Sequence, residues 1–316
     1  MRPTPAAFAQ TRPTHSPMAL RIATRGSALA RWQAEHVRDL LLANVAGDDL
    51  DVELVIVSTQ GDRDKSTPLG ILGGKGVFVK EVQAAVLDGR ADIAVHSGKD
   101  LPGLTPAELV IGSVPPRADP RDALIGSALS DLPEGGVVAT GSIRRKAQLA
   151  AQRPDLRFAE LRGNIDTRLA KAADFDAIVM AAAALDRLSL TPEPVDRLAV
   201  DVMVPQVAQG ALAIECREDD STTRLALAAI EDVQARRVFD TERAFLSELG
   251  GDCDLPVGAH AVLEGDTIHL TAIVANNDGS TVLRETRSDE QPVALGRSVA
   301  RYLLDDAGGS SLLDRS

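Results

Sequence analysis

The sequence predicts an α/β protein with two doubly wound lobes and a third, α+β domain built on an antiparallel sheet. Short apolar strands alternate with amphipathic helices through the first two thirds of the chain. This alternation is typical of a mostly parallel sheet covered by helices on both faces. Proline-containing segments interrupt the alternation twice, and after residue 258 the helical period gives way to a two-residue alternation.

The first lobe begins with a strand over residues 20–24. Ser27 is a natural N-cap for the helix that follows, whose apolar residues recur at a spacing near 3.6. The other elements predicted here are strands over 52–58, 93–95 and 109–114 and a helix over 77–87.

The second lobe follows a crossing marked by Pro115, Pro116 and Pro120. Its predicted elements are strands over 136–139, 156–160 and 177–180 and helices over 142–152, 165–173 and 181–188. Pro205 marks a second crossing, which leads into the strand containing Cys216. Because the chain leaves the first lobe and returns to it, a cleft is expected between the lobes, where open sheets bind ligands at their strand ends.

The third domain is predicted from three alternating segments and a final helix. The strands span 259–263, 267–275 and 281–286, and the helix spans 292–304. The resulting domain prediction is a disordered leader over 1–18, a first domain over 19–116 and 205–231, a second over 117–204, and a third over 232–316.

Composition limits the classes of partner. The chain of 316 residues has a formal charge of −12, which argues against nucleic acid or an anionic membrane as partner. No apolar run approaches the roughly 20 residues that span a bilayer, and the proline-rich start lacks the core of a signal peptide. Two cysteines make no disulfide framework, so we expect a cytoplasmic protein.

Cys253 is the most informative single residue. It is flanked by Gly250, Gly251 and Pro256, which exclude a regular helix or a central strand. Cys216, by contrast, lies in an apolar run and is interpreted as packing. A thiol on a glycine and proline loop is available to a disulfide partner, a metal or a covalent adduct. No second cysteine lies two to four residues away, and the histidines show no ligand spacing, so no metal site is predicted.

Cationic and hydroxyl residues cluster at four strand-to-helix junctions. These are Thr24-Arg25-Gly26-Ser27, His96-Ser97-Gly98-Lys99-Asp100, Thr140-Gly141-Ser142-Ile143-Arg144-Arg145, and Leu161-Arg162-Gly163-Asn164 followed by Arg168. Helix N-termini attract anions, and arginine binds carboxylates bidentately. Surface ion pairs would explain any one cluster, but four at ligand-facing strand ends indicate a site for a multiply anionic ligand.

Asp100 is a carboxylate among these cations. From local sequence it is either a structural partner of Lys99 or an acid, base or counter-charge for a cationic intermediate. The nearby run Gly73-Gly74-Lys75-Gly76 fails as a phosphate loop, because Leu69 stands where a glycine is needed. It is interpreted as a glycine-rich loop that carries Lys75 over the cleft.

Several motifs in this order resemble the porphobilinogen deaminase (hydroxymethylbilane synthase) family. They comprise residues 21–25, 73–76 with Phe78, 92–97 with Lys99 and Asp100, 119–123, 142–145, 161–164, 209–211 and the Cys253 loop. The resemblance covers nearly the whole chain from Leu20 to the final helix. It implies two lobes like periplasmic binding proteins, a third domain and a monomer.

The resemblance also implies chemistry. A dipyrromethane cofactor would be joined to Cys253 through a thioether, and four porphobilinogen molecules would be condensed head to tail with loss of ammonia. Hydrolysis would then release hydroxymethylbilane, an intermediate of tetrapyrrole and haem biosynthesis. Asp100 matches the family's catalytic aspartate, with Lys99 beside it.

The remaining site residues are carried over position by position. Those that would hold cofactor or substrate carboxylates are Arg25, Ser27, Lys99, Thr140, Ser142, Arg144, Arg145, Arg162, Gly163, Arg168 and Arg187. Lys75, Phe78 and Gln209 are assigned to the substrate or to the loop over it. Three positions depart from the family pattern: Asp252 and Gly141 replace commoner glycine and hydroxyl residues, and Gly98 replaces a methionine.

Two other functions fit parts of the sequence. A two-lobed protein that binds an anionic solute without catalysis would share the architecture, because fold alone does not determine function. A hydrolase with Cys253 as nucleophile would need a histidine, for which His260 is the nearest candidate.

Overall fold

A computed structural model describes residues 18–45, 50–58, 79–250 and 255–313. Residues 1–17 of the predicted leader and the predictions for Lys75, Phe78, Asp252 and Cys253 lie outside these residues, whereas residue 18 begins the first strand. No helix in the described part of the chain is long and apolar enough to cross a membrane.

The first lobe is a five-stranded mixed sheet. Its strands are β1 (Met18–Arg25), β2 (Leu50–Val57), β3 (Ile93–Ser97), β4 (Leu109–Ser113) and β10 (Leu212–Arg217), in the order β2-β1-β3-β10-β4. β1 pairs in parallel with both β2 and β3. β10 lies antiparallel between β3 and β4, so the returning chain becomes an internal strand of the sheet it had left.

Helices α1 (Ala28–Asn44), α2 (Lys80–Leu87) and α6 (Ser221–Ala228) pack on this sheet. The predicted cap of α1 is confirmed, because Ser27 Oγ accepts a hydrogen bond from the Ala30 N–H at 3.3 Å. α1 buries Val37 and Leu41 against Leu20 and Ile22 of β1. The apolar stripe read from the sequence therefore faces the sheet.

The second lobe is another five-stranded mixed sheet, ordered β7-β6-β8-β5-β9. Its elements are β5 (Asp122–Ile125), β6 (Val137–Ala139), β7 (Arg157–Ala159), β8 (Ala177–Ala181), β9 (Val195–Arg197), α3 (Ile143–Gln152), α4 (Ile165–Ala170) and α5 (Ala182–Arg187). β5 and β9 were not predicted from sequence. β5 is four residues long and opens with a carboxylate, and β9 is three residues long and mostly charged, so neither shows an apolar period.

The third domain has the predicted antiparallel sheet, ordered β11-β12-β13. Its elements are β11 (Val257–Glu264), β12 (Thr267–Ala275), β13 (Val282–Asp289), α7 (Val233–Glu248), α8 (Pro292–Arg301) and α9 (Ser310–Leu313). The final helix was predicted to 304, but α8 ends at Arg301 and a π-helical turn follows over Tyr302–Asp306. Helices α6 and α7 were not predicted; in α7 the buried Thr241, Glu242 and Arg243 interrupt the apolar stripe.

Glu242 of α7 connects the three domains. Its carboxylate is fully buried and accepts hydrogen bonds from Arg117 Nη1 and Nη2 at 2.7 and 3.1 Å. It also accepts from the backbone N–H of Ala208 at 2.7 Å and of Ala261 at 2.8 Å. Arg117 lies on the first crossing, Ala208 on the second and Ala261 on β11. One side chain of the third domain therefore holds both segments that join the lobes.

We predict that Glu242→Gln lowers the free energy of unfolding by about 3–5 kcal/mol, because it leaves the Arg117 guanidinium buried without its counter-charge. Urea denaturation measures this change. Asp39→Asn is the control: Asp39 pairs with Arg38 at the surface, and its loss should cost less than about 0.5 kcal/mol. Equal effects of the two substitutions would contradict the assigned role of Glu242.

Candidate functional site

The predicted site residues follow the carboxyl ends of neighbouring strands. Arg25 ends β1, Lys99 and Asp100 follow β3, Thr140 and Ser142 follow β6, and Arg162 and Gly163 follow β7. β1 and β3 are parallel neighbours in one sheet, and β6 and β7 are parallel neighbours in the other. Each pair of junctions therefore opens at one edge of its sheet, as expected for open α/β sheets.

A cavity of about 60 Å³ in the first lobe brings Arg25, Ser27 and Asp100 together. Gln33 also lines this cavity. Its Nε2 lies 2.8 Å from Ser97 Oγ as a donor, and its Oε1 accepts from the Ser97 hydroxyl at 3.2 Å. Gln33 was missed in the sequence, although a polar residue on the buried side of α1 was the available signal. Asp100 is the acidic residue among those that line this cavity.

Lys99 lies beside Asp100 in a single 3₁₀ turn, Gly98–Asp100. Its Nζ donates a hydrogen bond to Gln209 Oε1 at 3.2 Å. Burial lowers the pKa of Lys99 to about 8; the positive charge of Arg145 acts in the same direction, and the negative charge of Asp100 opposes it. Lys99 is therefore a cation near neutral pH that loses its proton far more readily than an exposed lysine does.

Asp122 organises the arginines of the second lobe and was missed as a site residue. It is fully buried, and its Oδ1 accepts from Arg145 Nε at 3.0 Å and Nη2 at 2.8 Å. Its Oδ2 lies 2.8 Å from Arg144 Nη1. Burial alone would raise the pKa of Asp122, but the two guanidinium groups outweigh it and hold the pKa well below its usual range. Its sequence signals were its place in the motif over 119–123 and its position as a carboxylate at the start of an apolar strand.

Arg144 keeps binding capacity after these contacts. It is 3% exposed, and its Nη1 donates to the Val204 carbonyl at 2.7 Å. Its Nε and Nη2 have no hydrogen-bond partner within the described residues. Two buried donor nitrogens of a cation are costly to leave unpaired, and they fit an anionic ligand group.

The second-lobe junctions add further donors. Ser142 caps α3, and its own N–H donates to Thr140 Oγ1 at 3.2 Å. Arg168 Nε donates to the Gly163 carbonyl at 2.8 Å, and burial and Arg145 both lower the pKa of Arg168. Arg162 pairs with the exposed Glu160 at 2.9 Å. A surface pair of this kind is weak, so a ligand carboxylate can replace Glu160 at little cost.

Arg187 has a different setting from the other arginines. It is 9% exposed, donates from Nη2 to the Gly210 carbonyl at 2.7 Å, and lies over the Trp32 ring at 5.8 Å. Burial lowers the pKa of Arg187 to about 10. These contacts join α5 of the second lobe to α1 of the first and to the second crossing.

Two of the unusual glycines fill tight positions. A Cβ at Gly98 would lie 2.8 Å from Phe239 Cε2 and 3.0 Å from Ala208 Cβ. Phe239 therefore occupies space that a longer side chain at position 98 would need, and packing limits the freedom expected there. A Cβ at Gly141 would lie 3.0 Å from the Leu161 carbonyl oxygen, so the junctions after β6 and β7 are in close contact.

Comparison with known proteins assigns the chain to a family. The model of the porphobilinogen deaminase dipyromethane cofactor binding domain matches residues 20–225, and the model of the porphobilinogen deaminase C-terminal domain matches 238–305. Proteins named porphobilinogen deaminase are similar along most of their length. The one from Syntrophotalea carbinolica is 44% identical over 295 residues, 92% of each chain. The one from Maridesulfovibrio salexigens is 44% identical over 93% of this chain and 97% of its own. The one from Brevibacillus brevis is 43% identical over 93% of this chain and 96% of its own.

Solved structures match less closely. The ligand-binding component of an ABC-type import system from Staphylococcus aureus aligns at 12% identity and a TM-score of 0.36, over 72% of this chain and 73% of that one. Such a slight likeness has no bearing on function.

We predict that Asp122 contributes to acid stability with a definite sign. Because its pKa is lower in the folded state than its ordinary value of 3.8, its contribution is complete above that value and is lost as the pH falls below it. Asp122→Asn should therefore be less stable than the wild type at pH 7, and the difference should narrow between about pH 5 and pH 2. Urea denaturation across this range measures it. Replacing the exposed Asp131 should leave the profile unchanged, and a constant difference for Asp122→Asn would contradict the prediction.

Proposed function

Because the chain belongs to the porphobilinogen deaminase family, we propose that it condenses four porphobilinogen molecules head to tail and releases hydroxymethylbilane. The observation that carries this proposal is the cavity that Asp100 lines together with Arg25 and Ser27. Such an enzyme is a deaminating transferase of tetrapyrrole biosynthesis. We further propose that it is a cytoplasmic monomer whose partner is porphobilinogen, without nucleic acid or membrane.

The charges of the site support an acidic ligand. Each pyrrole of porphobilinogen carries an acetate and a propionate, so every added unit brings two carboxylates. The donors left open on Arg144, the exchangeable pair of Arg162 and the cations Arg25 and Lys99 suit such a chain. No observation on the described residues specifically favours a solute-binding function without catalysis.

The same donors fit the family's dipyrromethane cofactor. We propose that Arg144, Arg145, Arg162, Arg168 and the hydroxyl groups of Thr140 and Ser142 would hold its carboxylates, with Cys253 as the point of attachment. When bound, the cofactor supplies the pyrrole carbon to which the first substrate is joined. We propose that Arg187, which lies at the contact between the lobes, also binds a cofactor or substrate carboxylate.

Asp100 is proposed as the catalytic carboxylate. Loss of ammonia from porphobilinogen leaves an electron-poor methylene carbon, and a nearby carboxylate stabilises that positive charge in a partly buried cavity. Asp100 is partly buried and lies in the 3₁₀ turn that directly follows β3. Lys99 is proposed to bind a substrate carboxylate next to it.

The attachment point is tested by intact mass. The purified protein should carry the mass of two linked pyrroles and give a positive pyrrole colour test, and Cys253→Ser should lose both. Cys216→Ser is the matched control: Cys216 is buried, and burial raises the pKa of its thiol to about 11, which makes it unreactive. An unmodified wild type that is well folded and colour-negative would refute the proposed function.

The role of Asp100 is tested by turnover. Asp100→Ala should keep the fold and reduce the rate of hydroxymethylbilane formation by at least about 100- to 1,000-fold, since the charge acts where positive charge develops. Asp88→Asn, which removes an exposed carboxylate paired with Arg90, should leave the rate unchanged. Near-normal turnover in Asp100→Ala would return Asp100 to a structural role.

A further inference from the structure

Gln209 has no polar atom left for a substrate. It lies on the second crossing and is fully buried. Its Nε2 donates to Asp122 Oδ1 at 2.9 Å and to the Pro120 carbonyl at 2.7 Å. Because both partners are acceptors, the amide can have only this orientation. Its Oε1 therefore points the other way, where it accepts from Lys99 Nζ at 3.2 Å.

The backbone around Gln209 is held as tightly as its side chain. Arg117 Nε donates to the Gln209 carbonyl at 2.9 Å. At Gly210, φ is +85° and a Cβ would lie 2.4 Å from the Ala118 carbonyl oxygen, so only glycine fits beside the first crossing. The two crossings thus lie in contact, with Gln209 fixed between the lobes.

The charges around Lys99 come from three elements. Asp100 lies on its own turn, Arg144 and Arg145 on α3, and Asp122 on β5. Arg168 of α4 interacts with Asp100 and Arg145. Burial and the guanidinium groups of Arg144 and Arg145 disfavour the ammonium form of Lys99. The two carboxylates and the hydrogen bond to Gln209 Oε1 favour it. The Gln209 oxygen opposes the effect of the arginines.

We propose that Gln209 is a positioning residue that connects the buried Asp122 of the second lobe to the Lys99 ammonium of the first and keeps Lys99 a fixed cation beside Asp100. This differs from the sequence-based assignment of Gln209 to the substrate. It rests on the proposed function only in the use made of Lys99, which is to bind a substrate carboxylate. The arrangement itself follows from the contacts of the protein alone.

The test measures the titration of Lys99 directly. The purified protein is labelled with a limiting amount of acetic anhydride between pH 6 and pH 10, and mass spectrometry of the peptide containing Lys99 reports the deprotonated fraction. In the wild type the midpoint should lie near the pKa of about 8. Gln209→Met keeps the volume but removes the acceptor, so the midpoint should fall by about one pH unit.

A second variant keeps the acceptor. In Gln209→Glu one carboxyl oxygen takes the place of Nε2, beside Asp122 Oδ1 and the Pro120 carbonyl, so this carboxyl keeps its proton and donates it to Asp122. Its other oxygen still accepts from Lys99, and the midpoint should stay near that of the wild type. Gln148→Met is the matched control. Gln148 is also buried and holds the second crossing, donating to the Val204 carbonyl at 3.0 Å and accepting its N–H at 2.8 Å. Gln148→Met should lower the stability of the protein without shifting the titration midpoint of Lys99.

The outcomes separate the two proposals. An unchanged midpoint in Gln209→Met, or a fall in Gln209→Glu as large as that in Gln209→Met, would leave Gln209 as packing and overturn the inference. If Gln209→Met does not fold, Gln209→Leu takes its place with the same expected fall. Labelling needs no turnover, so a wild type that forms no hydroxymethylbilane would refute the proposed function and leave this result standing. In active enzyme, KM should rise with pH at a midpoint that moves with that of Lys99.

Discussion

The architecture depends on a buried carboxylate that lies outside both lobes. Glu242 of the third domain receives the Arg117 guanidinium from the first crossing and backbone N–H groups from the second crossing and from β11. A buried charge of this kind is stable only with every partner in place. The two crossings are therefore held at one point, and the strand ends of the two lobes keep a defined relation across the cleft.

The second lobe repeats the same principle at the site itself. Asp122 is a buried carboxylate that takes two guanidinium groups, so the pair retains positive charge after neutralisation. It also receives the Gln209 amide, whose other end meets Lys99. The group of Asp122, Arg144 and Arg145 therefore stays cationic within a chain whose formal charge is −12.

Sequence reasoning recovered what depends on local pattern. The strands and the first two helices of the first lobe, the Ser27 cap and the three strands of the third domain were predicted because apolar periodicity and turn residues determine them locally. The clusters around Arg25, Asp100 and Arg144 were predicted at strand ends, and they follow strands β1, β3 and β6 in the structure. Short or charged elements were not predicted from the sequence. Strands β5 and β9 lack an apolar period, and polar residues interrupt the apolar stripe of α7.

The sequence by itself determined the kinds of element, their order and the residues that carry charge at the strand ends. The tertiary structure decided which of those charges are free to meet a ligand. Asp122 neutralises part of the arginine charge, Glu242 holds the crossings, and Gln209 accepts a hydrogen bond from Lys99. The physical reason is separation along the chain: Lys99 and Gln209 are 110 residues apart, and Arg117 and Glu242 are 125 apart. No local pattern encodes contacts that form only when three domains come together.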